Sequence, residues 1–364
     1  MIRRLLSRLT LHVDGFLLAA MISLMLVGLV VLYSATDQNT DKVLSQVMNI
    51  AIALSIMWVM ANIPPQHLLR LALPAYVIGL LLLIGVAMFG EISHGARRWL
   101  NIGVTRIQPS ELMKIAMPLM LAWYFDRYEA ILSLKNYAIA ALLLIIPVAL
   151  IAKQPDLGTA LLITASGFYV IFLAGLSWKI LFGLLVAAGA SMPLLWSVMH
   201  DYQRQRILTL IDPSQDPLGA GYHTIQSTIA IGSGGLMGKG WLKGSHAHLD
   251  FLPERSTDFI FAVFGEEFGL AGNILLLFLF MLVISRGLLI AANGPTLGTR
   301  LLAGSVTLTF FTYAFVNMGM VSGILPVVGV PLPLVSYGGT ALVTILVGLG
   351  ILMGINSQKK LVQT

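Results

Sequence analysis

The sequence predicts an all-α, polytopic membrane protein, and its composition and the pattern of its apolar residues carry the prediction. Of its 364 residues, 57% are hydrophobic and only 10% are charged, less than half the charged share of about 25% in an ordinary soluble domain. The apolar residues form continuous runs, unlike the short alternating segments of an outer-membrane barrel. Because the chain has no cysteine, a disulfide framework, a cysteine-based zinc site and a thiol nucleophile are excluded.

Ten apolar segments approach the length of about 20 residues that a helix needs to cross a bilayer. They lie near 14–35, 44–62, 70–90, 109–125, 136–152, 157–175, 178–198, 258–285, 300–324 and 336–355. The fourth is short and polar at its start, and the eighth is long enough to tilt or to project from the membrane. In the last segment, Gly350 and Gly354 have the spacing of a close helix contact.

The span count and the basic residues predict the orientation. Basic residues occur at both ends of the chain: Arg3, Arg4, Arg8, Lys359 and Lys360. An even number of spans places both termini on one side, and the positive-inside rule makes that side the cytoplasm. We expect one membrane domain over 1–364, in which 198–257 form a large periplasmic loop between spans seven and eight. This loop is too long for a connector, and its apolar stretches favour short amphipathic helices at the membrane surface.

The outer segments are unusually basic for that orientation. They carry about as many lysines and arginines as the cytoplasmic segments, which works against the positive-inside rule. The outer set is Lys42, Arg97, Arg98, Arg106, Lys153, Arg204, Arg206, Lys239, Lys243 and Arg255. Arginine and lysine bind phosphate through forked or point-charge hydrogen bonds, so this set favours an anionic ligand. The alternative is that outer aspartates and glutamates neutralise it.

The most informative acid is Asp258. It ends the polar run Pro253-Glu-Arg-Ser-Thr-Asp258, and a long apolar helix follows at once. A carboxylate at the boundary of the bilayer is costly, so an ionisable group there is a functional-site hypothesis. The alternative is a helix N-terminal acid, with Ser256 or Thr257 as the cap and Asp258 stabilised by the helix dipole.

A second pair of charges opens the fourth span. In Gln108-Pro-Ser-Glu-Leu-Met-Lys114, Glu111 and Lys114 are three residues apart and share one helix face. Both lie in the apolar zone, where an unpaired charge is costly. They form either a structural ion pair or a functional site in which Lys114 faces a polar cavity and Glu111 orients it. Lys153, in Lys153-Gln-Pro-Asp-Leu-Gly158, is predicted to lie in a tight turn at the outer interface, with a ligand role as a further option.

The glycine-rich stretch Gly232-Ser-Gly-Gly-Leu-Met-Gly-Lys-Gly240 resembles a phosphate-binding loop. It is not a Walker A motif, because Gly240 follows Lys239 where serine or threonine is needed. It is either a backbone nest in which Lys239 contacts a diphosphate or a flexible turn. A pattern just beyond it is too weak to predict a metal site: His246, His248 and Asp250.

Eight motifs occur in an order that resembles one family of membrane proteins. They are Gly95-Ala-Arg-Arg-Trp-Leu100, Gln108-Pro-Ser-Glu111, Lys153-Gln-Pro-Asp-Leu-Gly158, Asp212-Pro, Pro217-Leu-Gly-Ala-Gly-Tyr222, Gly232-Ser-Gly-Gly, Pro253-Glu-Arg-Ser-Thr-Asp-Phe259 and Pro333-Leu-Val-Ser-Tyr-Gly-Gly339. Together they resemble the SEDS family (shape, elongation, division and sporulation). The short tails at both ends favour its elongation branch in Gram-negative bacteria over its division branch. The resemblance covers essentially the whole chain.

The resemblance implies a ten-span peptidoglycan glycosyltransferase in the bacterial inner membrane. Its substrate would be lipid II, a disaccharide-pentapeptide on undecaprenyl diphosphate, which it would polymerise into glycan strands on the outer face during cell elongation. The essential acid of the family's Thr-Asp-Phe-Ile motif falls on Asp258. The implied partner is a class B penicillin-binding protein, a transpeptidase whose single span packs near spans eight and nine.

Glycosyl transfer fits the residues. Asp258 fits the base that removes the proton of the acceptor hydroxyl, a role that contributes about 10²–10⁴-fold, or a ligand of a cation that activates this hydroxyl. The departing diphosphate needs positive charge, from basic residues with or without a divalent cation such as Mg²⁺ or Mn²⁺; no organic cofactor is expected. Attack opposite the diphosphate inverts the anomeric centre. The expected substrate-binding residues are Arg97, Arg98, Trp99, Glu111, Lys114, Lys153, Arg206 and Lys239.

Two other functions fit parts of the sequence. A transporter, such as a flippase for the same lipid, would also have many helices and polar spans. However, the polar residues lie towards one membrane face, whereas a carrier usually keeps its site near the midplane between repeated halves. A scaffold for the transpeptidase would leave Glu111, Lys114 and Asp258 unexplained.

Overall fold

The computed structural model describes residues 12–93, 96–101, 106–128, 133–199, 201–215, 219–245 and 254–362. In chain order the elements are α1 (Gly15–Ala35), α2 (Thr40–Asn62), α3 (Pro65–Arg70), α4 (Ala72–Phe89), β1 (Glu91–Ser93), β2 (Ala96–Asn101), β3 (Arg106–Ile107), α5 (Pro109–Arg127), α6 (Leu134–Ala152), α7 (Leu157–Leu173), α8 (Trp178–Val198), α9 (Asp201–Ile211), α10 (Ala220–Ser233), α11 (Ile260–Ala292), α12 (Leu297–Val321) and α13 (Thr340–Val362). Helices dominate, and the three short strands form one antiparallel sheet.

Each of the ten predicted spans corresponds to one long helix. Seven helices in the described ranges are long and apolar enough to cross a membrane by length and composition: α1, α2, α4, α6, α11, α12 and α13. Helices α7 and α8 are shorter apolar helices by the same measure, and α5 carries charged residues in both its first and last turns. The all-α, polytopic membrane fold is therefore confirmed, and the number of ten crossings stays a prediction.

The bundle centres on α12 and α13, which bury more of their surface than the other apolar helices. Helix α11 lies along both α1 and α12, while α13 lies along α2. A Cβ on Gly350 would be 2.5 Å from the carbonyl oxygen of Met57, and one on Gly354 would be 3.1 Å from that of Ala61. The two glycines predicted to make a close helix contact therefore do so inside the bundle, where α13 meets α2.

Helix α11 is broken near its start. Gly269 has φ 64° and ψ −161°, and the segment 234–240 docks against the break. The amides of Lys239 and Gly240 donate to the carbonyls of residues 266 and 267, and the amides of residues 270 and 271 donate to the carbonyls of residues 235 and 236, at 2.9–3.0 Å. The glycine-rich stretch thus replaces the hydrogen bonds that the break removes. The interpretation as a flexible turn is wrong, because these bonds fix the segment in place.

The long loop between α8 and α11 contains α9 and α10, as predicted for short helices. The chain before the fourth span differs from expectation: residues 91–107 contain the three strands, which the sequence analysis did not predict. Strand β2 pairs with β1 and carries Arg97, Arg98 and Trp99. The sheet therefore fixes the backbone of three of the expected substrate-binding residues.

Replacing Gly269 with alanine should destabilise the protein strongly. A Cβ would lie 2.3 Å from the amide nitrogen of Gly238, in a backbone region that is almost restricted to glycine. Strain and overpacking together should cost about 2–5 kcal/mol, which thermal unfolding in detergent or nanodiscs would measure. Gly232→Ala is the matched control, since its Cβ would meet nothing within 4 Å. Equal midpoints of thermal unfolding for the two variants would mean that the glycine-rich segment does not dock against α11.

Candidate active site

Asp258 lies in the turn 254–259, immediately before α11. Within the turn, the hydroxyl of Thr257 donates to the Glu254 carboxylate at 2.7 Å and the amide of Phe259 donates to the Glu254 carbonyl at 3.1 Å. Phe259 is the N-cap residue of α11, and no side chain makes a capping hydrogen bond. The part of the alternative in which Ser256 or Thr257 caps the helix is therefore wrong; stabilisation of Asp258 by the helix dipole is a separate effect that does not depend on a cap.

The loop 322–339, between α12 and α13, packs on this turn. The amide of Tyr337 donates to the carbonyl of Ser256 at 2.9 Å, and the hydroxyl of Ser336 donates to the carbonyl of Thr257 at 2.6 Å. The third successive carbonyl, that of Asp258, accepts from Nδ2 of Asn317 at 2.8 Å. Three consecutive carbonyls thus have three separate donors, and the backbone on both sides of the Asp258 side chain is fixed.

The carboxylate of Asp258 faces a glycine of the same loop. Its Oδ2 lies 3.5 Å from the position of a Cβ on Gly329, which has φ 71° and is exposed. Asp258 itself is half-buried, so its carboxylate is partly desolvated yet close to the surface. Burial, together with the negative charge of Glu254, raises the pKa of Asp258 to about 6. The group can therefore exchange protons near neutral pH.

Glu111 and Lys114 form an ion pair inside the bundle. Lys114 Nζ lies 2.6 Å from Glu111 Oε1, and the hydroxyl of Thr344 donates to Glu111 Oε2 at 2.8 Å. Lys114 is 8% exposed, and its Nζ lies 5.5 Å from the centroid of the Tyr313 ring, within reach of a cation–π interaction. The structural ion pair is therefore present, whereas the expected polar cavity beside Lys114 is lined mainly by apolar residues; a ligand role for Lys114 stays a prediction.

Two cavities meet this ion pair. Lys114, Tyr313 and Thr344 line a cavity with an empty volume of about 410 Å³. Glu111 and Thr344 line a larger one of about 1390 Å³, together with residues of α2, α4 and β3. Tyr313 lies on α12 one helical turn before Asn317, so the same helix connects Lys114 to the turn that carries Asp258.

The remaining predicted residues differ in their surroundings. Arg98 donates to the carbonyl of Pro155 at 2.8 Å and lies 3.7 Å from Oδ2 of Asp156, which caps α7. Arg97 and Lys153 are exposed, while Trp99 and Arg206 are half-buried. Arg98 thus ties the sheet to the turn 153–158.

That turn also reaches the loop beside Asp258. A Cβ on Gly158 would lie 2.6 Å from the carbonyl oxygen of Val328, the residue before Gly329. The side chain of Gln108 donates to Asp156 at 3.4 Å. The structure therefore brings Arg98, Gln108 and Asp156 to the loop 322–339, which also contacts Asp258. The functional hypothesis did not use Gln108 or Asp156, although both lie in motifs that the sequence analysis singled out.

Lys239 contacts protein acids rather than open space. Its Nζ lies 2.6 Å from Oε1 of Glu266 and 2.9 Å from the hydroxyl of Ser245. Glu266 and Glu267 are both fully or almost fully buried, and Glu267 accepts from Ser34 and, at 3.2 Å, from the amide of Leu242. The glycine-rich segment is therefore not an open backbone nest, since its amides and its lysine already bind residues of α11. Two adjacent carboxylates in an apolar helix were the sequence signal for this arrangement.

Within the described residues, no cluster of three or more histidine, aspartate or glutamate side chains could hold a metal ion. His246, His248 and Asp250 lie outside these residues. The described side chains around Asp258 therefore do not present a ready-made site for a divalent cation.

These features define a class: a polytopic helical membrane protein with a desolvated acid where a loop meets a span, and with a buried ion pair beside two cavities. The family model of the FtsW, RodA and SpoVE cell cycle proteins matches residues 13–361 of the sequence. The chain therefore belongs to this family, which is the SEDS family that its motifs resemble. The multiple apolar helices and this membership make it a multi-pass inner-membrane protein.

Its relatives include members of the elongation branch. The peptidoglycan glycosyltransferase MrdB of Escherichia coli K12 is 52% identical over 351 residues, which cover 96% of this chain and 95% of MrdB. The peptidoglycan glycosyltransferase RodA of Treponema pallidum is 30% identical, with 95% of this chain and 98% of that protein covered.

Solved structures share the fold. One is a chain from a peptidoglycan synthase complex that coordinates polymerization and crosslinking; it has a TM-score of 0.83 and 32% identity, over 95% of this chain and 98% of that chain. The rod shape determining protein RodA of Thermus thermophilus has a TM-score of 0.72 and 29% identity, over 95% and 97%. The predicted family and fold class are both confirmed.

Proposed function

We propose that the chain is a peptidoglycan glycosyltransferase that polymerises lipid II into glycan strands on the outer face of the inner membrane during cell elongation. Relatives with the same activity in their names cover almost the whole chain. The observation that carries the proposal is the state of Asp258, a half-buried carboxylate with a pKa of about 6 at the boundary of a span. A base is most effective when its pKa lies near the working pH.

In this mechanism Asp258 takes the proton from the acceptor sugar hydroxyl. The hydroxyl oxygen then forms a bond to the anomeric carbon of the donor, and the bond from that carbon to the diphosphate breaks. The leaving diphosphate keeps the bonding electrons, and attack from the opposite face inverts the anomeric centre. The position of Asp258 before α11 supports this geometry, since sugars can occupy the aqueous side while the isoprenoid tails stay in lipid.

The leaving group needs positive charge where negative charge develops. Lys114 and Arg98 are the strongest choices, because Lys114 lines a cavity and Arg98 binds the turn 153–158, which contacts the loop beside Asp258. Arg97, Trp99, Lys153 and Arg206 remain proposed contacts to sugar or diphosphate. A divalent cation such as Mg²⁺ or Mn²⁺ could add positive charge at the diphosphate; assays with either ion and with a chelator test whether one takes part.

The transpeptidase partner is proposed to pack between α11 and α12. An apolar groove of about 820 Å³ lies between these helices, with Phe261, Phe311 and Phe315 among its lining residues. A solved relative comes from a complex that coordinates polymerization and crosslinking, which supports such a partner. Cross-linking from residue 315 to a class B penicillin-binding protein tests the surface.

Both termini are proposed to be cytoplasmic, which puts Asp258 on the periplasmic side. The support is the set of basic residues at the chain ends and the long helix at each predicted span. The test fuses a reporter that is active only in the periplasm after Thr364. Activity of this reporter would contradict the orientation. The alternative function, a lipid flippase, is not favoured, since the relatives named above are glycosyltransferases.

The two lysines should respond differently to substitution. Lys114→Met keeps the length of the side chain but removes the charge beside the cavity, so binding of a lipid II analogue should fall about tenfold or more, as expected for the loss of one charge-assisted contact. Lys239→Met leaves Glu266 buried without its lysine, and Lys114→Met likewise leaves Glu111 without its lysine, so both variants should lose up to about 3–5 kcal/mol of stability. The loss of binding is expected only for Lys114→Met. Binding and thermal unfolding are measured on both variants. Unchanged binding by folded Lys114→Met protein would exclude Lys114 from the diphosphate site.

Asp258→Asn should abolish most glycan synthesis. The amide keeps the size of the carboxylate but carries no charge and cannot act as a base, so a loss of about 10²–10⁴-fold is expected. Even Asp258→Glu should lose about 100-fold, because a displacement of about 1 Å misplaces the reacting group. Glycan length on gels is measured for folded variants bound to the transpeptidase. Normal strands from Asp258→Asn would refute its role as base.

The rate of polymerisation should fall as the pH is lowered through about 6. Asp258 accepts a proton only when it is ionised, and burial together with Glu254 raises its pKa to about 6. Below that value the rate should drop towards tenfold per pH unit, and above it the rate should level off. Initial rates between pH 4.5 and about 8 measure this limb. An acid limb near pH 4 would indicate an exposed carboxylate of ordinary pKa.

A further inference from the structure

Asn317 is a fully buried polar residue in α12. A polar side chain in an apolar span is costly unless it is hydrogen-bonded. Its Nδ2 donates two hydrogen bonds, to the carbonyl of Asp258 at 2.8 Å and to the carbonyl of Val330 at 2.7 Å. Two acceptors on one side fix the orientation of the amide, because its oxygen could not face them.

The two carbonyls belong to the residue that carries the carboxylate and to the loop that the carboxylate faces. One belongs to Asp258 itself. The other belongs to the residue after Gly329, and Gly329 is the residue that Oδ2 of Asp258 faces. A single NH₂ group therefore fixes both the backbone that carries the carboxylate and the loop against which the carboxylate rests.

Asn317 differs from the other two donors that hold this turn. Tyr337 and Ser336, which bind the carbonyls of residues 256 and 257, lie in the loop 322–339. Asn317 lies within a buried helix of 25 residues. Asn317 therefore ties both the turn and the loop to α12, the helix whose Tyr313 lies beside Lys114.

We propose that Asn317 is a positioning residue for glycosyl transfer: its amide holds Asp258 at the place where the acceptor hydroxyl is deprotonated. It acts through the backbone of Asp258 and has no contact with substrate in this assignment. The inference rests on the proposed function. The competing explanation is that Asn317 only satisfies two buried carbonyls and contributes to stability alone.

The two explanations predict different changes in the pH dependence of the rate when the amide of Asn317 is removed. Charged or titratable groups near the turn are Glu254 and Arg255 within it and His223 of α10, whose ring centroid lies 5.7 Å from that of Phe259. Arg255 is paired with Asp37. If the turn loosens when the amide is removed, water reaches the carboxylate and its pKa falls towards the ordinary value of about 4. The acid limb of the rate profile would then move to lower pH.

The test compares Asn317→Leu and Asn317→Gln in the full chain bound to its transpeptidase. Leucine has a similar volume but no donor, so kcat should fall about 10–100-fold while KM for lipid II stays nearly constant. The acid limb should shift to lower pH in the same protein. Glutamine keeps the NH₂ group, displaced by one methylene, and should retain more activity than leucine does.

Asn356→Leu is the matched control. Asn356 donates its amide to Asp14 at 2.8 Å, near Arg286 and roughly 40 Å along α11 from Asp258. The substitution Asn356→Leu therefore removes an asparagine amide hydrogen bond far from the site. Any loss of stability is expected with both leucine variants, whereas the changes in kcat and in the acid limb are expected only with Asn317→Leu.

Wild-type kcat per folded molecule in Asn317→Leu, or an unmoved acid limb, would overturn the inference. The inference would also be overturned if the Asn317→Leu variant were as active as the Asn317→Gln variant, or more active. The proposed function fails in a different way: wild-type protein would not polymerise lipid II, or Asp258→Asn would polymerise it normally. The two failures are thus distinguishable.

Discussion

Backbone carbonyls that fold away from water need hydrogen-bond donors from the protein. The carbonyls of residues 256–258, just before α11, meet this need with donors from two other parts of the chain. The consequence is a rigid junction of the turn 254–259, the loop 322–339 and α12. The position of Asp258 follows from this junction, and so does its partial desolvation. Burial and the negative charge of Glu254 raise the pKa of Asp258, and the junction holds the carboxylate in these surroundings.

The same requirement explains the break in α11. A gap in the hydrogen bonds of a spanning helix is tolerated only where another protein segment fills it, and the glycine-rich segment fills this one. Glycine is needed because a Cβ on Gly234 or Gly238 would lie 2.1 Å from a carbonyl oxygen of α11. The docked segment brings Lys239 to Glu266, a buried carboxylate that would be costly without a partner. A sequence that resembles a phosphate-binding loop thus supplies the hydrogen bonds that are missing at the break in α11.

Salt bridges change the interpretation of the basic outer face. At least four of the ten cations of the outer set are paired with acids in the described structure: Arg98, Arg106, Lys239 and Arg255. The alternative that acids neutralise these groups therefore holds for these four, and Lys114 of the fourth span is paired in the same way. A diphosphate would meet cations that are already oriented by carboxylates, of which Lys114 and Arg106 border cavities. Orientation by an acid and contact with a ligand are compatible roles for a lysine.

Local sequence was sufficient for the class of protein, the ten long helices, the family and the junction at which Asp258 lies, since each depends on runs of neighbouring residues. It was insufficient for the sheet at 91–107, whose short charged strands carry little apolar alternation. It also could not predict the break at Gly269, because glycine is common in spanning helices. Apart from the neighbouring pair Glu111 and Lys114, which acid pairs with which cation was decided by the tertiary structure, and so was the contact of Asn317 with Asp258. Lys239 and Glu266 are 27 positions apart, Asn317 and Asp258 are 59 apart, and Arg255 and Asp37 are 218 apart. No local periodicity records which of several possible partners will meet in the folded bundle.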